Sequence, residues 1–143
     1  MAARKQDGDW TEVAIAMDRG LRVFADFAKP ILAAHAADNL SVSNVLFLMS
    51  IGEGEARVNH LVRSGRYVGS NASYALKALE SGGLIRRRQD ESDRRNAVVS
   101  WTERGAALAA AIKRACTSPG GIPSGAGALL AAFEDHCARL PEA

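Results

Sequence analysis

Between residues 70 and 88 the hydrophobic period of the chain changes, and this constrains the fold more than any other feature. From Ser70 to Ser81 the apolar residues Ala72, Ala75, Leu76 and Leu79 recur at three- and four-residue steps, which makes one helical face apolar. Gly82-Gly83 then supplies a stop, and Leu84-Ile85-Arg86-Arg87-Arg88 reads as a short strand. A second strand fits Ala97-Val98-Val99-Ser100-Trp101, and the segment between them, Gln89 to Asn96, is wholly polar. The spacing therefore predicts a helix that runs directly into a two-stranded β-hairpin. Off the apolar stripe the helix shows Ser70, Asn71, Ser73, Tyr74 and Lys77, with no carboxylate before Glu80. Such a face can approach phosphates and base edges without repulsion.

The remaining segments read as helices. Val13, Met17, Leu21, Phe24, Phe27, Ile31 and Leu32 give Trp10 to Ala37 one apolar face, and Pro30 predicts a kink or break near Lys29. Ser41 is a good N-cap for a short, buried helix from Val42 to Ile51, ended by Gly52-Glu53-Gly54. A third helix is expected over Glu55 to Arg63, followed by a turn from Ser64 to Gly69. Thr102 caps a helix that reaches about Cys116, residues Thr117 to Gly125 form a Gly/Pro/Ser-rich loop, and a last helix spans about Ala126 to Leu140. The expected fold is mainly α with a small two-stranded β-hairpin, in a single domain over residues 1–143.

A chain of 143 residues holds one ordinary core, and 48% hydrophobic with 24% charged residues is the balance of a globular protein. No apolar run is long enough to span a bilayer, and Met1 to Asp7 lacks the apolar stretch of a signal peptide, so a cytoplasmic location without membrane association is expected. Net charge is only +2, but from Arg57 to Arg104 there are 10 basic and 5 acidic residues, against 8 and 11 elsewhere. The middle of the chain is a positive island suited to a polyanion. Cys116 and Cys137 are too few for a disulfide framework and read as structural thiols. His35, His60 and His136 show no metal-ligand spacing, so no metal or cofactor is expected. Without a nucleophile elbow, a phosphate-binding glycine loop or paired carboxylates, the chain does not read as an enzyme.

Helix, turn, helix and β-hairpin in this order make a winged helix. Two stretches, Ala72-Ser73-Tyr74-Ala75-Leu76-Lys77-Ala78-Leu79-Glu80-Ser81-Gly82-Gly83-Leu84-Ile85 and Asp93-Arg94-Arg95-Asn96-Ala97-Val98-Val99-Ser100-Trp101-Thr102, resemble the recognition helix and the wing of MarR-type winged helix-turn-helix transcription regulators. Gly105 also falls where that family often has glycine, whereas Trp101 replaces a smaller aliphatic residue. The resemblance implies a DNA-binding core over about residues 41–105. It places Ser70, Asn71, Ser73, Tyr74 and Lys77 in the major groove, Arg94 and Arg95 at the minor groove, and Arg66 at a phosphate. Asp93, or else Asp90, would brace the wing arginines. Arg57, His60 and Arg63 are further phosphate candidates, and each of Arg86, Arg87 and Arg88 is as readily a solvated strand residue.

The same resemblance implies a homodimer built from the terminal helices, about residues 10–37 and 126–140, that reads a pseudo-palindromic double-stranded operator. It also implies repression or activation of transcription, with release from DNA by a small aromatic ligand as one mode of control. Phe24, Phe27, His35, Phe47 and Met49 are candidates to line a ligand site, and each reads equally as plain core. The alternative function is a winged-helix protein-interaction module that binds no DNA; the basic middle segment counts against it.

Overall fold

The computed structural model describes residues 9–117 and 124–141, so most of the expected Gly/Pro/Ser-rich loop and the first eight residues lie outside the described part. In chain order the elements are α1 (Trp10–Ala34), α2 (Val42–Ile51), β1 (Glu55–Arg57), α3 (Val58–Ser64), α4 (Gly69–Ser81), β2 (Ile85–Gln89), β3 (Ala97–Trp101), α5 (Glu103–Cys116) and α6 (Ala126–Arg139). Three helices begin at side-chain caps. Asp9 accepts from the N–H groups of Thr11 and Glu12, Ser41 from Asn44 and Thr102 from Gly105.

Two sequence expectations are corrected. Pro30 does not divide the first segment, because α1 is continuous to Ala34. Proline removes a single N–H, and the carbonyl that loses it, on Asp26, belongs to an exposed residue, so the helix gives up one bond and continues. The helix expected from Glu55 is instead a strand for three residues and becomes α3 only at Val58. Glu55, Ala56 and Arg57 pair antiparallel with Ser100, Val99 and Val98. That pairing fills the second edge of β3, so the sheet has three strands in the order β1-β3-β2 where a two-stranded hairpin was expected. Left-handed glycines at Gly52 and Gly54 turn the chain from α2 onto that edge.

The core lies under α4, between α2, α5 and the inner face of the sheet. Val45, Phe47, Leu48, Leu79, Leu84, Val99, Leu108 and Ile112 are all fully buried there. Trp101 lies across the end of the sheet and donates its indole N–H to the carbonyl of Leu48 at 2.8 Å. Arg104 ties two helix ends together, donating to Gly82 O at the end of α4 and to His35 O and Ala36 O past the end of α1 (2.5, 2.9 and 3.0 Å). The terminal helices are much less covered. α1 buries only Ala28 and Leu32, α6 buries no residue, and Trp10, Ile15, Met17, Leu21, Val23, Phe27, Leu129 and Leu130 are exposed. Trp10 packs against the rings of Phe133 and His136, which joins the start of α1 to α6.

Candidate nucleic-acid interface

Helix α4 is held by its small inner face. Ala72, Ala75, Leu76 and Leu79 are all buried, so the opposite face is fixed in orientation by packing. That outer face carries Ser70, Asn71, Ser73, Tyr74 and Lys77, all exposed, with Tyr74 at 73%. Its first-turn N–H groups include those of Asn71 and Ala72, which bond back to Val68 O. No acidic residue lies in the first turn of α4, so its positive end is not neutralised from within the helix.

The wing stands beside this face. β2 and β3 pair from Ile85↔Trp101 to Gln89↔Ala97, and the loop between them is closed by Asn96 N–H bonding to Asp93 O and Asp90 N–H to Asn96 O. Asp93 shapes the tip, accepting from the N–H of Arg95 at 3.1 Å and from the amide of Asn96 at 2.8 Å. It therefore braces the wing through the main chain under Arg95. Arg94 and Arg95 are exposed and form no ion pair among the described residues.

Asp90 acts where β2 passes into the loop of the wing. It is buried, accepts from the hydroxyl and the N–H of Ser92 at 2.8 and 3.0 Å, and faces Arg57 Nε at 2.8 Å. The hydrogen bonds from Ser92 hold its carboxyl below the usual range; the positive charges of Arg57 and Arg88 add to this, and burial opposes it. On the outer face of the sheet Arg88 grips Glu55 with two bonds, at 2.9 and 2.5 Å, and this pair pulls the Glu55 carboxyl down. The alternation of a strand separates the three arginines. Arg88 belongs to Glu55, whereas Arg87 lies on the other face and lines a groove of about 750 Å³ with Arg63, Arg66, Arg95, Tyr67 and Val68.

Residues 39–96 match the model of the MarR family. The match takes in α2, the strand β1, α3, α4, β2 and the tip of the wing. The exopolysaccharide II synthesis transcriptional activator ExpG of Rhizobium meliloti (strain 1021) is 34% identical over 115 residues, 77% of this chain and 59% of that protein. The chain thus spans less than two thirds of the length of that relative. A MarR transcriptional regulator from Methanosarcina mazei Go1 superposes with a TM-score of 0.72 at 18% identity, covering 91% of this chain and 99% of that one. FabT of Streptococcus pneumoniae, solved in complex with DNA, superposes with a TM-score of 0.64 at 15% identity, covering 92% and 96%. At these identities the structural likeness concerns the fold, and it extends to both terminal helices.

The expected site residues divide. Ser70, Asn71, Ser73, Tyr74 and Lys77 share one exposed helix face, and Arg94 and Arg95 sit at the wing tip. Arg66 is placed differently from the phosphate contact expected of it. Its guanidinium donates to Leu140 O, Cys137 O and Pro141 O (2.7, 3.0 and 3.3 Å), so it caps the C-terminal end of α6. Arg57 is engaged by Asp90 and Ser92. Arg87 was obscured in the sequence by its two neighbours: alternation divides the three arginines, but which side meets the groove depends on how the sheet packs. The aromatic ligand candidates do not converge. Phe47 is buried against Tyr67 with ring centroids 5.1 Å apart, Phe27 is exposed, and none of Phe24, Phe27, His35, Phe47 and Met49 lines a described cavity.

Proposed function

We propose that this chain is a homodimeric, sequence-specific DNA-binding regulator of transcription. One observation carries the reading. Asn71, Ser73, Tyr74 and Lys77 are presented outward by a helix locked from behind, beside Arg87, Arg94 and Arg95, whose positive charges have no acidic partner among the described residues. The major groove admits one helix, and the first residues of that helix reach the base edges. In that pose Asn71 can pair in a bidentate manner with adenine, Ser70 and Ser73 hold a phosphate, and the wing brings Arg95 to the minor groove, where a weakly hydrated guanidinium enters readily. An interaction module without DNA would have no use for a helix face without a carboxylate before Glu80 set beside wing arginines that no carboxylate pairs among the described residues.

The exposed apolar residues of α1 and α6 support the dimer. Exposed apolar residues on both helices, Val23 and Phe27 on α1 with Leu129 and Leu130 on α6, are what a second copy would cover. Two copies place two reading helices on half-sites about one helical turn apart, and this supplies the sequence length that one helix lacks. Activation is supported ahead of repression by the name of the relative from Rhizobium meliloti. Release by a small aromatic ligand stays a family expectation; it requires a ligand with unequal affinity for the DNA-competent and incompetent states.

Nuclease protection of duplex DNA from upstream of its own coding region tests the function. The full chain should protect a pseudo-palindrome, Asn71→Ala should relax the base preference and Arg95→Ala should weaken protection. With about six phosphates neutralised per dimer, log K should fall against log salt with a slope near −5. Affinity indifferent to salt, or only 15.1 kDa particles in sedimentation at micromolar concentration, would overturn the reading.

A further inference from the structure

We propose that Val68 is a specificity-determining residue that packs its isopropyl group on the 5-methyl group of a thymine in each half-site. The inference rests on the DNA-binding reading above and names a contact within it. Val68 is the N-cap of α4 and supplies no side-chain capping bond, although this position favours Ser, Thr, Asp or Asn. It is also 65% exposed, more than any other valine or isoleucine among the described residues. An apolar branched side chain at a helix cap thus gives the folded chain neither a cap nor a core contact.

The next residue has the same character. A Cβ added at Gly69 would meet nothing within 4 Å, and its backbone is not in the left-handed region. Neither packing nor a turn in this chain requires glycine at the first position of α4, where it weakens the helix. Two successive residues therefore depart from what helix stability favours, at the edge of the groove that Arg87 and Arg95 share with Val68. Local choices that conflict with folding collect where function imposes its own demand. A bare Gly69 leaves the wall beside Val68 low, so that the isopropyl group can descend onto a base edge next to the one read by Asn71.

The chemistry of the major groove selects the partner atom. Its edges are hydrogen-bond donors and acceptors except for the thymine 5-methyl, which is the apolar group a valine can cover without stranding a polar atom. Cytosine or a purine at that position would lose water against the isopropyl group and gain nothing.

The experiment uses an operator selected from random-sequence duplexes by the full-length chain, with each thymine then replaced singly by uracil to delete only the methyl group. In fluorescence anisotropy at fixed salt, one replacement per half-site should weaken binding about fourfold, the value of one buried methyl group. Val68→Ala, which removes the contact from both half-sites at once, should bind the parent operator about sixteenfold weaker and be indifferent at that position alone. Val68→Ser should restore the cap and raise Tm, and still lose the methyl readout; the melting curves also confirm folding. Uracil effects that are the same for Val68 and Val68→Ala at every thymine, or absent everywhere, would overturn the assignment while leaving sequence-selective binding intact. Failure to select any sequence would remove the DNA-binding reading along with it.

Discussion

Replacing Gly105 by alanine adds one methyl group at the most restrictive point of the fold. Gly105 is buried in the first turn of α5, and a Cβ there would lie 1.9 Å from Leu84 O and 2.9 Å from Leu84 C. Both atoms are backbone, so no rotamer change relieves the overlap. The start of α5 must move about 1 Å away from Leu84 before even the tightest tolerated contact is reached. Three bonds cross or support this junction: Thr102 N–H to Leu84 O (3.0 Å), Thr102 Oγ1–H to Gly83 O (2.6 Å) and Gly105 N–H to Thr102 Oγ1 (3.0 Å). At about 1 kcal/mol net for each, their loss costs about 3 kcal/mol. Alanine returns about 0.5–1 kcal/mol by restricting the unfolded chain, which leaves a net loss of about 2–2.5 kcal/mol. For a chain of this size that corresponds to a Tm lower by roughly 6–10 °C. Thermal unfolding followed by circular dichroism at one fixed protein concentration measures it. A Tm within about 2 °C of the parent, or above it, would refute the claim that close approach of α5 to the wing root is what glycine provides here.

Other outcomes follow from the charged contacts. Arg104→Ala should lower stability to urea by about 1–2 kcal/mol through loss of its bonds to Gly82, His35 and Ala36. Arg104→Lys should recover only part of this, because an ammonium cannot fork between two helix ends. Asp90 and Glu55 have carboxyls held below their ordinary range, so their contribution is complete above that range and is lost as pH falls through the lowered values. The stability difference between the parent and Asp90→Asn should therefore be constant from neutrality to about pH 5 and shrink below it; a difference that grows on acidification would contradict the pairing described. Arg66→Ala should loosen α6, seen as faster amide exchange near Cys137, while the salt slope of DNA binding stays unchanged. A slope shallower by about 1 for each protomer would instead return Arg66 to the phosphates.

The inner stripe of α4 was legible because burial repeats at the helical period, and Ala72, Ala75, Leu76 and Leu79 all fall on it. Naming that stripe also named the outer face. The wing strands were legible within one residue, since the polar run from Gln89 to Asn96 has no place in a core. Glu55-Ala56-Arg57 was not, because a helix-forming triplet becomes a strand only when β3 offers a free edge to pair with. Pro30 misled for a related reason: the cost of a missing N–H depends on whether the orphaned carbonyl meets water or protein.

The amino-acid sequence alone determined the order of the helices and of the two hairpin strands, the inward and outward faces of α4 and the polar tip of the wing, all of which follow from local periodicity and turn chemistry. Which arginine does what was decided only by the tertiary structure. Arg57 went to Asp90, Arg66 to the end of α6, Arg88 to Glu55 and Arg104 to the ends of α1 and α4, while Arg87 and Arg95 were left facing one groove. A guanidinium is long, always charged and satisfied by any carboxylate or carbonyl within reach, so its role is fixed by what folding places beside it.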